Sequence, residues 1–154
     1  MARSAYSGPE ECNCLAVRQA ARHITQFYDQ FLAPSGLRTT QFSILAKLRR
    51  LGPMTINTLA AEIVMDRTTL GRNILPLERD GLIAVEKGNR DRRSKELRVT
   101  EAGEARFRSG VKGWVQAQRQ FEKAFGAART ADMRALLHSV AATDLGATPV
   151  SAAE

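Results

Sequence analysis

A mainly α-helical fold carrying a small β-hairpin wing is what this sequence predicts, and three observations predict it. Most of the 154 residues fall into segments whose apolar side chains recur every three or four positions, the spacing of one helix face. Two of these segments, residues 53–64 and 66–80, are short and nearly contiguous, as in a helix-turn-helix. Immediately after them, residues 82–86 and 96–100 are rich in aliphatic and β-branched side chains and flank a charged turn, the pattern of a hairpin. The architecture expected is a winged helix-turn-helix domain with a helical dimerisation region.

Residues 1–11 are small and polar and contain Gly8-Pro9, so they read as a flexible arm. A long amphipathic helix is expected from about Asn13 to Leu32, with Val17, Ala20, Ala21, Ile24, Phe27, Tyr28 and Phe31 on its buried side, and Pro34-Ser35-Gly36 ends it. Thr39 or Thr40 opens a second helix that turns Phe42, Ile44, Leu45 and Leu48 inward and closes at Leu51-Gly52-Pro53. The third helix runs from Pro53 to Val64, with Thr55 or Asn57 as cap and Ile56, Leu59, Ala60 and Ile63 buried.

The segment from Asp66 to Leu82 organises the rest. Asp66 is a suitable N-cap, which leaves the first-turn N–H groups pointing outward where phosphate oxygens can meet them. Leu70, Ile74 and Leu77, with Leu75 beside them, form an apolar stripe, while Arg67, Thr68, Thr69, Arg72 and Asn73 fall on the other side. Gly81 stops the helix. Pro76 lies inside it, removes a backbone donor, and predicts a bend between a groove-facing first half and a core-facing second half. The turn from Lys87 to Lys95 then holds five basic residues and one acidic one, more positive charge than a tight turn tolerates unless an anion visits it.

Thr100 caps a long helix from Glu101 to about Phe125 that carries Ala105, Val111, Trp114, Val115, Gln118, Phe121 and Phe125. A last helix is expected from Thr130 to about Thr143 through Met133, Leu136, Leu137 and Val140. Together with the first helix these hold more apolar surface than a compact nucleic-acid-reading module needs, which predicts a homodimer. The expected layout is therefore an arm over 1–11, a dimerisation region over 12–34 and 101–145, a winged helix-turn-helix over 35–100, and a disordered tail over 146–154.

Composition constrains the partner. Lys and Arg number 23 against 16 Asp and Glu, a formal charge of +7 with a pI near 10.1, which suits a polyanion. Charge alone fits RNA, DNA or an acidic membrane equally, and the helix-turn-helix and hairpin decide for double-stranded DNA. No apolar run approaches the roughly 18 residues of a membrane span, and the N-terminus lacks the apolar core of a signal peptide, so a cytoplasmic protein is expected. There is no Gly-rich phosphate loop, no Ser/His/Asp set and no pocketed carboxylate pair, so no enzyme and no cofactor is expected. Cys12, Cys14, His23 and His138 match no closed zinc spacing, so no metal is expected either.

The DNA contacts these patterns nominate are Arg67, Thr68, Thr69, Arg72 and Asn73 on the helix, and Arg90, Asp91, Arg92, Arg93 and Lys95 on the wing. Arg can take guanine O6 and N7 together, and Asn can do the same with adenine N6 and N7. Each alone is as readily a solvated surface group; their combination on one helix face and one wing is the signal. Thr39, Thr40 and Gln41 serve equally as phosphate contacts or as caps.

Leu77-Glu78-Arg79-Asp80-Gly81-Leu82-Ile83, Asp91-Arg92-Arg93 and Leu97-Arg98-Val99-Thr100-Glu101-Ala102-Gly103 resemble the signature of the MarR-type winged helix-turn-helix regulators, and the resemblance extends over roughly residues 12–145. It implies that Arg93 enters the minor groove from the wing tip and that Asp91 holds it. It also implies a dimer on a pseudo-palindromic operator, acting as a repressor and released by a small-molecule effector, an aromatic acid or its thioester. Arg22, His23, Phe27, Phe42 and Trp114 are the effector-site candidates. From Cys14 through Arg22, Thr25, Tyr28, Gly36, Gln41 and Phe42 the chain also resembles the organic-hydroperoxide sensors of that family. That subgroup resemblance implies a redox-active Cys14 hydrogen-bonded by Tyr28, with Arg18 standing where a second Tyr is usual. Redox sensing through Cys14 is thus one alternative; a sequence-independent architectural DNA-binding protein is another.

Overall fold

The structure is a computed structural model that describes residues 8–89 and 91–146. Helix α1 spans Asn13–Leu32, α2 Thr39–Leu51, α3 Ile56–Glu62, α4 Arg67–Arg79, α5 Glu101–Phe125 and α6 Ala127–Ala142. Strands β1 (Met54–Thr55), β2 (Ile83–Lys87) and β3 (Lys95–Val99) form one antiparallel sheet in the order β1-β3-β2. The chain divides into two compact units, Met1–Gln118 and Arg119–Glu154.

Helix boundaries follow local chemistry. In α2, Gln41 Oε1 accepts from Arg38 N–H at 2.9 Å, while Asp29 of α1 accepts from both the N–H and the hydroxyl of Thr39 at 2.7 Å. Gln41 is therefore a capping residue, whereas Thr39 is the first helical residue and is itself capped by Asp29 across the helix pair. In α3, Thr55 Oγ1 accepts from Thr58 N–H. The end of α4 is a Schellman motif: Leu82 N–H bonds to Leu77 O at 2.8 Å and Gly81 N–H to Glu78 O at 2.9 Å, with Gly81 at φ 71°. Helix α4 continues through Pro76 without a break.

The core of the first unit is aliphatic. Leu32, Leu37, Ile44, Leu45, Leu48, Leu59, Leu70, Leu77, Ile83 and Leu97 are all buried, and each contributes roughly 1.5–3 kcal/mol relative to exposure. Phe42 stacks on Phe107 with ring centres 4.6 Å apart and faces Trp114 at 6.3 Å; Arg49 lies over Phe107 at 4.2 Å and bonds Glu104 at 2.6 Å. Within the second unit, Arg129 lies over Phe125 and Arg134 pairs with Glu122.

Several expectations are corrected. The sheet has a third strand, β1, where the sequence suggests the start of a helix; Met54 pairs with Leu97 and Thr55 with Glu96, so α3 begins only at Ile56. Each hairpin strand is displaced by one residue, Leu82 being used up in the Schellman motif and Thr100 in capping α5. Within α1, Val17, Ala20 and Ala21 are exposed and Ile24, Phe27, Tyr28 and Phe31 only half-buried; Leu32 is the buried residue. Leu75 is 63% exposed and belongs to the outer face of α4. Helix α6 starts three residues before Thr130, after Gly126 at φ 99°; the Thr130 hydroxyl donates back to Gly126 O inside the helix. Of the expected arm, Pro9–Glu11 form a single 3-10 turn and residues 1–7 lie outside the described residues, as do 147–154 of the expected tail.

Candidate DNA-interaction surface

Two elements of the first unit present unpaired positive charge. Helix α4 turns about 100° per residue, so Leu70, Ile74 and Leu77 share the core side while Thr68, Arg72, Leu75 and Arg79 share the opposite one. Arg67, Thr68, Thr69 and Arg72 are all exposed, and neither arginine has a carboxylate partner among the described residues. Asp66 caps the helix by accepting from Thr69 N–H at 2.8 Å. Hydrogen bonds from Thr69, side chain and backbone, hold the Asp66 carboxyl below the usual carboxylate range. Asn73 is half-buried, and its amide donates to Thr69 O at 2.8 Å and faces Met65 Sδ at 3.9 Å, so its donors are committed within this segment. Upstream, the turn between α3 and α4 contains Val64 at φ 52°, a left-handed conformation in a β-branched residue that is 75% exposed.

The wing is built around Asp91. Its carboxylate accepts from Arg93 N–H at 2.9 Å and its carbonyl accepts from Ser94 N–H and Oγ–H, while Gly88 N–H closes the turn on Ser94 O. Gly88 is buried there, and a Cβ would run into Ser94 Oγ. Asp91 thus holds Arg93 through its backbone, leaving the guanidinium exposed. Arg92 and Lys95 are exposed beside it; Arg90 lies outside the described residues. Lys87, Gly88, Asn89 and Arg92 line an open recess of about 470 Å³. On the other face of the hairpin, Arg98 bonds Glu86 through Nη2 at 2.5 Å and Nε at 3.1 Å. That pairing lowers the Glu86 carboxyl and raises the Arg98 guanidinium.

The nominated residues therefore fall into groups. Those on α4 and those on the wing are surface groups of one compact unit. Phe42 and Trp114 are brought together, but Phe42 is buried within an aromatic stack; Arg22 and His23 are exposed on α1, and Phe27 packs on Tyr28 and Phe31. Cys12 and Cys14 are exposed free thiols, and Cys12 Sγ accepts from Leu15 N–H at the start of α1. Tyr28 donates to Gln118 Oε1, and fourteen helical residues place it about 21 Å along α1 from Cys14. Among the described residues no three His, Cys, Asp or Glu side chains form a metal-binding group, and no helix is long and apolar enough to cross a membrane. Sequence reasoning misses Lys87, the outward Leu75, and the open space over Gly71; only the charge of Lys87 shows in the sequence.

A profile of the MarR family matches residues 37–95. The solved structure of the M. tuberculosis transcriptional regulator MosR is 35% identical, with a TM-score of 0.74, over 88% of this chain and 100% of its own. The chain belongs to the MarR family. The same regulator in complex with DNA matches at 38% identity and a TM-score of 0.73, over 86% of this chain and 98% of its own. YwoH of Bacillus subtilis, described as an HTH-type transcriptional regulator, is 32% identical over 91 residues, 59% of this chain and 66% of its own length. Further Bacillus relatives match over 52% of theirs, so the chain spans between half and two thirds of these curated relatives. As a MarR-type winged helix-turn-helix protein it places α3 and α4 as the helix-turn-helix and β2–β3 as the wing.

Proposed function

We propose that this MarR-family protein is a homodimeric repressor of a pseudo-palindromic operator, with α4 in the major groove of each half-site and Arg93 in the adjacent minor groove. The observation that carries it is the set of exposed cations without carboxylate partners among the described residues, on α4 (Arg67, Arg72) and on the wing (Arg92, Arg93, Lys95). In the related MosR, DNA is bound by the same fold. The exposed apolar positions of α1 in a single chain support the dimer.

The test is a titration of the dimer against the DNA upstream of its own coding region and against random duplex at matched salt. A regulator separates the two by roughly a thousandfold or more; equal affinity would establish an architectural DNA binder instead. Arg93→Ala is expected to weaken operator binding strongly while light scattering still reports a dimer. Release comes from an effector, an aromatic acid or its thioester, that shifts the dimer between two geometries. Arg22, His23, Phe27, Phe42 and Trp114 are its proposed contacts, and quenching of Trp114, the sole tryptophan, reports it.

The exposure of Cys14 favours one second reading, in which a hydroperoxide oxidises Cys14 to the sulfenic acid and is itself reduced to the alcohol. Loss of operator binding after stoichiometric cumene hydroperoxide, absent in Cys14→Ser, would establish it.

A further inference from the structure

The outer face of α4 is not uniformly polar. Leu75 is 63% exposed, turned away from Leu70, Ile74 and Leu77 and flanked on its own face by Arg72 one turn before and Arg79 one turn after. The preceding turn of that face is Gly71, where a Cβ would meet nothing within 4 Å, so the helix backbone itself is open to close approach. Thr68 lies on the same side of the helix, so Leu75 and the bare backbone at Gly71 form an apolar strip with Thr68 at its end and guanidinium groups at its border. Arg79 is tied to Asp80 at 3.1 Å, while Arg72 has no carboxylate partner among the described residues.

Against duplex DNA such a strip has one complement. Phosphates and sugars match the arginines, and in the major groove the one apolar group on a base edge is the 5-methyl of thymine. We infer that Leu75 reads a thymine methyl in each half-site, with Gly71 letting the helix sit close enough for the contact. This rests on the placement of α4 in the major groove proposed above and adds a specificity-determining residue to it. Leu75 selects thymine through shape and burial, not through hydrogen bonds. A cytosine at that position presents no methyl and turns an amino donor toward the leucine, leaving a polar group unpaired.

The experiment selects duplexes from a random pool with the wild-type protein, then replaces each thymine of the selected site in turn by deoxyuridine, which removes only the methyl group. Wild type is expected to lose about fourfold in affinity per half-site at one symmetry-related pair of positions, the effect of one buried methyl. Leu75→Ala is expected to bind thymine and deoxyuridine duplexes equally at that pair while keeping the wild-type response elsewhere. Because Leu75 is exposed, the variant retains its melting temperature, which separates a missing methyl contact from a damaged fold. If Leu75→Ala shows the wild-type deoxyuridine profile at every position, the inference is wrong while the DNA-binding reading stands. If no duplex is enriched at all, both fall together.

Discussion

Lys87 lies directly opposite Lys95 across the wing hairpin, at the last paired rung before the turn. Like charges facing each other destabilise a ladder, and neither ammonium has a carboxylate partner among the described residues. Lys87 and Arg92 line a recess with room for a phosphate group. Lys87→Ala is therefore expected not to lower the melting temperature while weakening DNA binding similarly across sequences. The check is the salt dependence of affinity, whose logarithmic slope should fall by about 0.9 for each phosphate that is no longer neutralised.

Gly71 and Gly113 should respond in opposite directions to alanine. Nothing stands within 4 Å of a Cβ on Gly71, so Gly71→Ala gains helix propensity and should stabilise the free protein by up to about 1 kcal/mol. It should at the same time weaken DNA binding by holding α4 off the groove. At Gly113 a Cβ would penetrate the carbonyl of Phe31 in α1. Gly113→Ala should cost about 1–3 kcal/mol despite the same gain in propensity, because α1 and α5 must separate. Chemical denaturation measures both.

Val64 holds a left-handed conformation in the turn between α3 and α4 with its side chain in solvent. A β-branched residue there costs roughly 1–2 kcal/mol, and glycine offsets part of its own gain through its freer unfolded chain. Val64→Gly is expected to stabilise the domain by about 0.5–1 kcal/mol in urea unfolding. A fall in stability would mean that the Val64 side chain makes a contact the geometry does not show.

The Asp66 cap predicts a pH dependence. Its carboxyl is held below the ordinary carboxylate range in the folded protein by Thr69, so the ionised cap favours folding. That contribution is complete above the ordinary carboxylate range and disappears as acid protonates the folded-state group below it. Asp66→Ala should therefore unfold at lower urea than wild type near neutrality, and the gap between the two should close as pH falls through that acid range.

How much of this is legible in the sequence depends on where each constraint comes from. Helix α4, its Asp66 cap and its Gly81 stop are legible because all three are local, carried by side chains within a turn of the backbone they satisfy. Strand β1 is not, since two residues carry no periodicity and Met54 becomes a strand only by meeting Leu97. The Asp29 cap on α2 is hidden for the same reason: its partner Thr39 is ten residues away on another helix. In α1 the apolar pattern is legible and its meaning is not, because a periodic stripe does not say whether its cover lies in the same chain. Lys87 is visible as charge, but local composition ends the first strand at Glu86 and starts the second at Glu96, so the Lys87–Lys95 rung falls inside the expected turn. Leu75 reads as part of the core stripe because it is apolar and adjacent in sequence to a core position, whereas the helix turns it outward.

Finally, the start of α5 is fastened to the turn that ends α4. Thr100 N–H bonds to Leu82 O, the Thr100 hydroxyl bonds to Gly81 O, and Gly103 lies so close beneath Leu82 that no side chain fits between. Three attachments within four residues leave no play, so the reading head and the foot of the stem that carries it turn as one piece. In a dimer of such subunits the letters of a half-site are set by each rigid head, whereas the distance between half-sites is set by the angle between stems. An effector acting on the stems would then change which spacings are accepted and leave the preferred half-site word untouched.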